Sequence, residues 1–159
     1  AKAAKKEISA KKAILLVNER ADIALAAGAD GVHLPSRAVK TTVLRRIVPP
    51  DLIIGISTHS ADEVLRARDE GADFTVFGPV FESPGKGEPV GLEELTAVCA
   101  AAEGFPILAL GGVNEKNCTD VLDAGARGVA AIRALNESTT RRQILEKIGY
   151  RVAGSVKDS

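Results

Sequence analysis

The sequence has no methionine, not even at its first position, and only two cysteines among 159 residues. The first absence leads us to expect chain ahead of residue 1. Cys99 and Cys118 lie far apart and share no metal-ligand spacing, which argues against a disulfide framework or a zinc site. Both thiols are expected to stay reduced and to pack as small hydrophobes. An excess of either charge is also lacking, with 21 Lys and Arg against 21 Asp and Glu and no basic run. That balance argues against nucleic acid as the main partner. No apolar run approaches the ~20 residues that cross a membrane. The Lys- and Ala-rich start reads as a helix rather than a signal peptide, so a cytoplasmic protein without a membrane partner is expected.

Short apolar runs alternate with longer amphipathic stretches along the chain. The runs are Ala13 to Val17, Gly31 to Leu34, Leu52 to Ile56, Phe74 to Phe77, Ile107 to Leu110 and Val129 to Ile132. Each is nearly all apolar, as in parallel strands covered on both faces. Helical patterns fill the gaps, for example 61–70 and 115–124. Ser60 with Glu63 predicts a capping box for the first, and Asn114 a cap for the second. A three-fold echo supports this grammar: Ala27-Gly28-Ala29-Asp30-Gly31, Glu70-Gly71-Ala72-Asp73 and Ala124-Gly125-Ala126-Arg127-Gly128. Its shared Gly fits the left-handed position that ends a helix. Six parallel strands joined by right-handed crossovers leave two architectures, a (β/α)8 barrel lacking two units or an open doubly wound sheet.

In either architecture the site gathers at the C-terminal ends of the strands. Asn18 and Glu19 follow the first run; Ser57, Thr58 and His59 follow the third; the long loop 78–91 with Ser83 and Lys86 follows the fourth. Gly111-Gly112 follows the fifth and Arg133 the sixth. The glycine pair would let amide N–H groups approach an anion, with a helix N-terminus behind, or it is only a tight turn. Arg133 favours the anion, because a guanidinium pairs well with phosphate. Lys86, between two glycines, either closes over a phosphate or is a solvated lysine. His33, inside a strand, reads as a satisfied interior histidine, whereas His59 is better placed to face a pocket. No serine–histidine–carboxylate triad or metal cluster is visible.

Taken in order, the segments Val17-Asn18-Glu19-Arg20, Gly28-Ala29-Asp30-Gly31-Val32-His33-Leu34, Gly55-Ile56-Ser57, Gly78-Pro79-Val80-Phe81, Pro89-Val90-Gly91-Leu92 and Ala109-Leu110-Gly111-Gly112-Val113 resemble the thiamine phosphate synthase and TenI-type thiazole tautomerase superfamily. The resemblance implies an eight-stranded TIM barrel of the phosphate-binding type, with residues 1–159 as a single domain supplying strands three to eight. It also implies a synthase that joins hydroxymethylpyrimidine diphosphate to thiazole phosphate and releases pyrophosphate with magnesium. By resemblance, Glu19 takes the place of a magnesium ligand and Asn18 stands beside it. Ser57, Lys86 and His59 are the catalytic candidates. Ser83 belongs to a pyrophosphate loop, and Gly111 and Gly112 receive the thiazole phosphate, with Arg133 added to them as a phosphate-binding candidate by its place after the last strand and not by the resemblance.

Departures from the family pattern keep two other readings open. The turn Pro35-Ser36-Arg37-Ala38 puts Ala38 where the family has a second metal carboxylate. Gly85 replaces a threonine of the pyrophosphate loop, and Arg133 a small polar residue. Leu34-Pro35-Ser36 and His59-Ser60 look more like the tautomerase branch, whose catalytic histidine falls at Pro79. The alternatives are thus a thiazole tautomerase or a non-catalytic phosphate-binding regulator. The expected partners are phosphorylated small molecules, and association into a homo-oligomer stays open.

Overall fold

The computed structural model describes residues 1–8 and 13–149. In chain order the elements are α1 (Lys2–Ile8), β1 (Leu16–Asn18), α2 (Ala21–Ala27), β2 (Gly31–Leu34), α3 (Thr41–Leu44), β3 (Ile53–Thr58) and α4 (Ala61–Asp69). Then follow β4 (Phe74–Phe77), α5 (Gly91–Ala101), β5 (Ile107–Leu110), α6 (Cys118–Asp123), β6 (Gly128–Ala130), α7 (Arg133–Asn136) and α8 (Ser138–Lys147).

The strands form one parallel sheet in the order β1-β2-β3-β4-β5-β6. A doubly wound sheet reverses its strand order at a switch point. No reversal occurs here, so the open-sheet alternative falls and the strands are consecutive staves of a (β/α) barrel. Their alternating side chains separate two faces. One face meets the helices: Val32, Leu34 and Ile54 pack with Ala24, Leu44 and Leu52, while Phe77, Ile107 and Ala109 pack with Val64, Leu95, Val98, Val121 and Ile144. Cys118 is buried in the second cluster and Cys99 packs against it, both as free thiols. The other face is the inner wall. Its strands approach so closely that a Cβ on Gly55 would lie 2.2 Å from the Phe74 ring.

The repeated Gly-Ala-Asp segment has two physical jobs. Gly28, Gly71 and Gly125 adopt φ of +62°, +88° and +98°, the left-handed conformation that stops each helix. Two residues on, the chain is tied to the start of the preceding strand. Asp30 accepts the Leu15 amide at 2.7 Å, and Asp73 accepts the Ile54 amide at 2.7 Å. Arg45 reinforces the second tie, pairing with Asp73 and donating to the carbonyls of Gly71 (2.9 Å) and Leu52 (2.6 Å). Asp73→Ala should therefore cost about 1–3 kcal/mol, because it leaves a strand amide without its acceptor and takes one of three acceptors from the guanidinium. Urea denaturation checks this; a loss near zero would mean that water replaces the carboxylate. In the third repeat the backbone bond remains, from Arg127 N to Ile107 O at 2.8 Å, with Arg127 in place of the aspartate.

Several boundaries move from the sequence expectation. β1 begins at Leu16 rather than Ala13, and the Leu15 amide just ahead of it goes to the Asp30 side chain. β3 runs on to Thr58, so Ser57 and Thr58 are strand residues rather than loop residues. β6 is only Gly128–Ala130, and Arg133 opens α7. Ser60 does cap α4, accepting the Glu63 amide at 3.3 Å. The return half of the box is displaced by one residue: the Glu63 carboxylate accepts from His59 N at 2.7 Å. Asn114 does not cap α6. It bonds Gly112 O (3.0 Å) and the Lys116 amide (2.8 Å), and the helix starts later, at Cys118.

Candidate phosphate site at the C-terminal ends of the strands

A pocket of about 430 Å³ opens between the loops that follow β4, β5 and β6. Ser83, Lys86, Gly111, Gly112 and Arg133 all line it, so five residues separated by up to fifty positions in sequence share one cavity. Glu82 and Ile132 are among the other lining residues, and neither stood out in the sequence. Glu82 carried no motif. Ile132 was taken for the end of a strand, yet it is 76% exposed.

The glycines are required by their neighbours. The loop after β4 keeps pairing with β5 beyond the strand ends, through Val80 N to Leu110 O at 2.8 Å and Phe81 N to Gly111 O at 3.0 Å. This brings the two loops so close that a Cβ on Gly111 would lie 2.5 Å from Pro79, and one on Gly112 would lie 2.6 Å from Glu82 O. Both residues also hold positive φ, +95° and +65°. The pair is therefore more than a tight turn. Its carbonyls are spent, Gly111 O on Phe81 and Gly112 O on the side chains of Asn114 (3.0 Å) and Asn117 (3.1 Å). Among the described residues no acceptor takes the amide N–H of Gly112, whereas the β5–β6 register turns that of Gly111 toward Ala130 O. An unsatisfied donor in the same pocket as a guanidinium suits an anion. The helix starts nearby add little: α6 begins only at Cys118, and α7, which Arg133 opens at the pocket, has four residues. The anion reading rests on the Gly112 amide, Arg133 and Lys86.

The other candidates lie along the rim from β1 to β3, outside this pocket. Asn18 ends β1, and Glu19 follows it with φ +63°, a left-handed position uncommon for a side chain of this kind. Its amide is held by His33 O at 2.8 Å. His59 Nδ1 donates to Gly78 O at 2.5 Å, since a carbonyl oxygen can only accept, which puts a proton on Nδ1. Ser57 lies 2.9 Å from His33 Nε2. A second cleft, of about 250 Å³, lies beside this strand among Leu34, Thr41, Thr58 and Arg66. For magnesium the donor set does not fit. Among the described residues no group of three or more His, Cys, Asp or Glu side chains is placed to hold a metal ion.

Burial holds the His33 imidazole below its ordinary value of 6.5. The unfolded chain thus takes up the proton first as pH falls. The stability this neutral histidine contributes is complete above 6.5 and is lost as pH drops from there toward the folded value. Melting temperatures of the protein and of His33→Gln, followed downward from neutral pH, should diverge in slope, with the variant flatter. Parallel curves would contradict the buried, neutral imidazole.

A run of parallel strand–helix units in unreversed order, with a pocket at the strands' C-terminal ends, defines a protein of the (β/α) barrel class. The family profile described as thiamine monophosphate synthase matches residues 1–135, and the chain belongs to that family. A thiamine-phosphate synthase of Methanoculleus marisnigri is 44% identical over 126 residues, covering 77% of this chain and 59% of that protein. One of Chlorobium phaeovibrioides is 39% identical over 138 residues, 86% of this chain and 66% of its own. The thiamine phosphate pyrophosphorylase structure from Pyrococcus furiosus superposes with a TM-score of 0.81 at 35% identity, covering 92% of this chain and 72% of that one. A 3-hexulose-6-phosphate synthase at 22% identity, with a TM-score of 0.68, shares the fold. The chain thus spans about three fifths to two thirds of the length of these curated relatives.

Proposed function

We propose that the protein is a thiamine phosphate synthase, joining hydroxymethylpyrimidine diphosphate to thiazole phosphate with release of pyrophosphate. The observation that carries this reading is the single pocket formed by Ser83, Lys86, Gly111, Gly112 and Arg133. It gathers, from three loops, the groups that two phosphorylated substrates require. The Gly112 amide and Arg133 would hold the thiazole phosphate. Ser83 and Lys86 would meet the pyrophosphate, and the lysine's charge would offset the charge that develops as it departs. The thiazole nitrogen then captures the pyrimidine cation left behind. Ser57, with Asn18 and Glu19, would contact the pyrimidine end from the β1–β3 rim. Magnesium has only Glu19 as a candidate ligand here, and the steps above use only the chain's own groups. Two further strand–helix units ahead of residue 1 would close the sheet into a single eight-stranded domain.

The tautomerase alternative needs an acid or base at the thiazole ring. Pro79 offers none, and His59 lies outside the pocket with Nδ1 bound to Gly78 O. The test is pyrophosphate release by the full-length protein with both substrates, with magnesium and with chelator. Release that needs both substrates supports the synthase, and the chelator arm shows whether a metal takes part. Isomerisation of thiazole phosphate alone, or binding without turnover, would replace it with the tautomerase or the regulator.

A further inference from the structure

His33 touches two of the candidate site residues, yet it lies outside the phosphate pocket. Its register partner on β3 is Gly55, whose missing side chain admits the Phe74 ring, with centroids of imidazole and phenyl 6.2 Å apart and the planes tilted by 36°. The imidazole therefore stands against an apolar ring on the inner wall, with Nε2 2.9 Å from Ser57 Oγ on the neighbouring strand. On the other side, the backbone carbonyl of His33 accepts the Glu19 amide at 2.8 Å.

A serine side chain has three staggered rotamers and a freely turning hydroxyl. One hydrogen bond from an imidazole held by its own strand selects among them and fixes where the rest of the hydroxyl's bonding capacity points. We propose that His33 is a positioning residue: its ring sets the Ser57 hydroxyl and its carbonyl sets the Glu19 backbone, so that β1 and β3 present both residues to substrate as one unit. His33 itself touches no substrate. The proposal rests on the synthase reading in taking Ser57 and Glu19 as substrate contacts.

The test is a double-mutant cycle on steady-state turnover, joined to a readout that needs no turnover. His33→Ala should lower kcat about 10- to 100-fold, in the range seen when a supporting partner of a site residue is removed. His33→Gln, whose terminal amide can reach the position of Nε2, should recover most of that loss. Because His33 acts through Ser57, the double variant His33→Ala/Ser57→Ala should be no worse than Ser57→Ala alone. Losses that multiply would overturn the proposal, as would failure of His33→Gln to rescue. Independently, the Nε2 nitrogen resonance of His33 should move in Ser57→Ala; an unmoved resonance also overturns it. A protein that never releases pyrophosphate defeats the synthase reading instead, and the resonance still decides whether the pair exists.

Discussion

Gly112→Asp should weaken thiazole phosphate binding at least about 100-fold. Three effects act in the same direction. The position holds φ +65°, where an L side chain is strained by roughly 1–2 kcal/mol. The new Cβ would lie 2.6 Å from Glu82 O and 2.6 Å from Phe81 Cβ, so the loop after β4 must retreat from the pocket it lines. Finally, a carboxylate would face the ligand's own charge. Two unit charges about 4 Å apart repel by about 4 kcal/mol at an effective dielectric near 20, already more than a hundredfold in affinity. Calorimetric titration with thiazole phosphate measures the loss. Arg133→Ala is the companion variant, since Arg133 is exposed and its removal leaves the backbone in place. It should weaken binding while leaving the melting temperature unchanged. Full affinity in both variants would place the phosphate elsewhere.

Lys86→Ala should lower the rate of pyrophosphate release about 100- to 1000-fold, the range seen when one preorganised charge or donor is removed from a developing anion. The side chain is exposed, and the loop's own turn is closed by the backbone, through Lys86 N to Ser83 O at 3.0 Å. Stability should therefore change by less than about 0.5 kcal/mol. The loss should fall on kcat more than on KM, because the lysine meets charge that grows as the bond breaks. Lys86→Arg, which keeps the charge, should retain part of the rate. A rate within a few-fold of the unaltered protein would make Lys86 a solvated loop residue after all.

The fold was legible because its signals are local and repeated. Nearly continuous apolar runs marked the strands, and Gly28, Gly71 and Gly125 marked the helix ends, each with the left-handed φ that its place in the echo predicts. What the sequence left open was order in space. Barrel and doubly wound sheet have the same alternation of elements, and only the unreversed pairing from β1 to β6 separates them. The site was legible by the rule that strand ends gather, which put Ser83, Lys86, Gly111, Gly112 and Arg133 in one pocket. The same rule failed to separate that pocket from the rim carrying Asn18, Glu19, Ser57 and His59. Side-chain commitments across strands were hidden as well. Nothing local tells that Asn114 turns back to Gly112, that Glu63 reaches His59, or that His33 is satisfied by Ser57. Those bonds depend on register between strands, not on any single segment.

The most direct test of the phosphate site is an amide chemical-shift titration of the full-length protein with thiazole phosphate. The Gly112 amide, which no acceptor takes among the described residues, should become a donor to the ligand. The account predicts saturable shifts centred on Gly111, Gly112 and Arg133, with smaller ones at Ser83 and Lys86. Shifts centred instead on the cleft around Leu34, Thr41 and Arg66, with Gly111 and Gly112 unmoved, would contradict it.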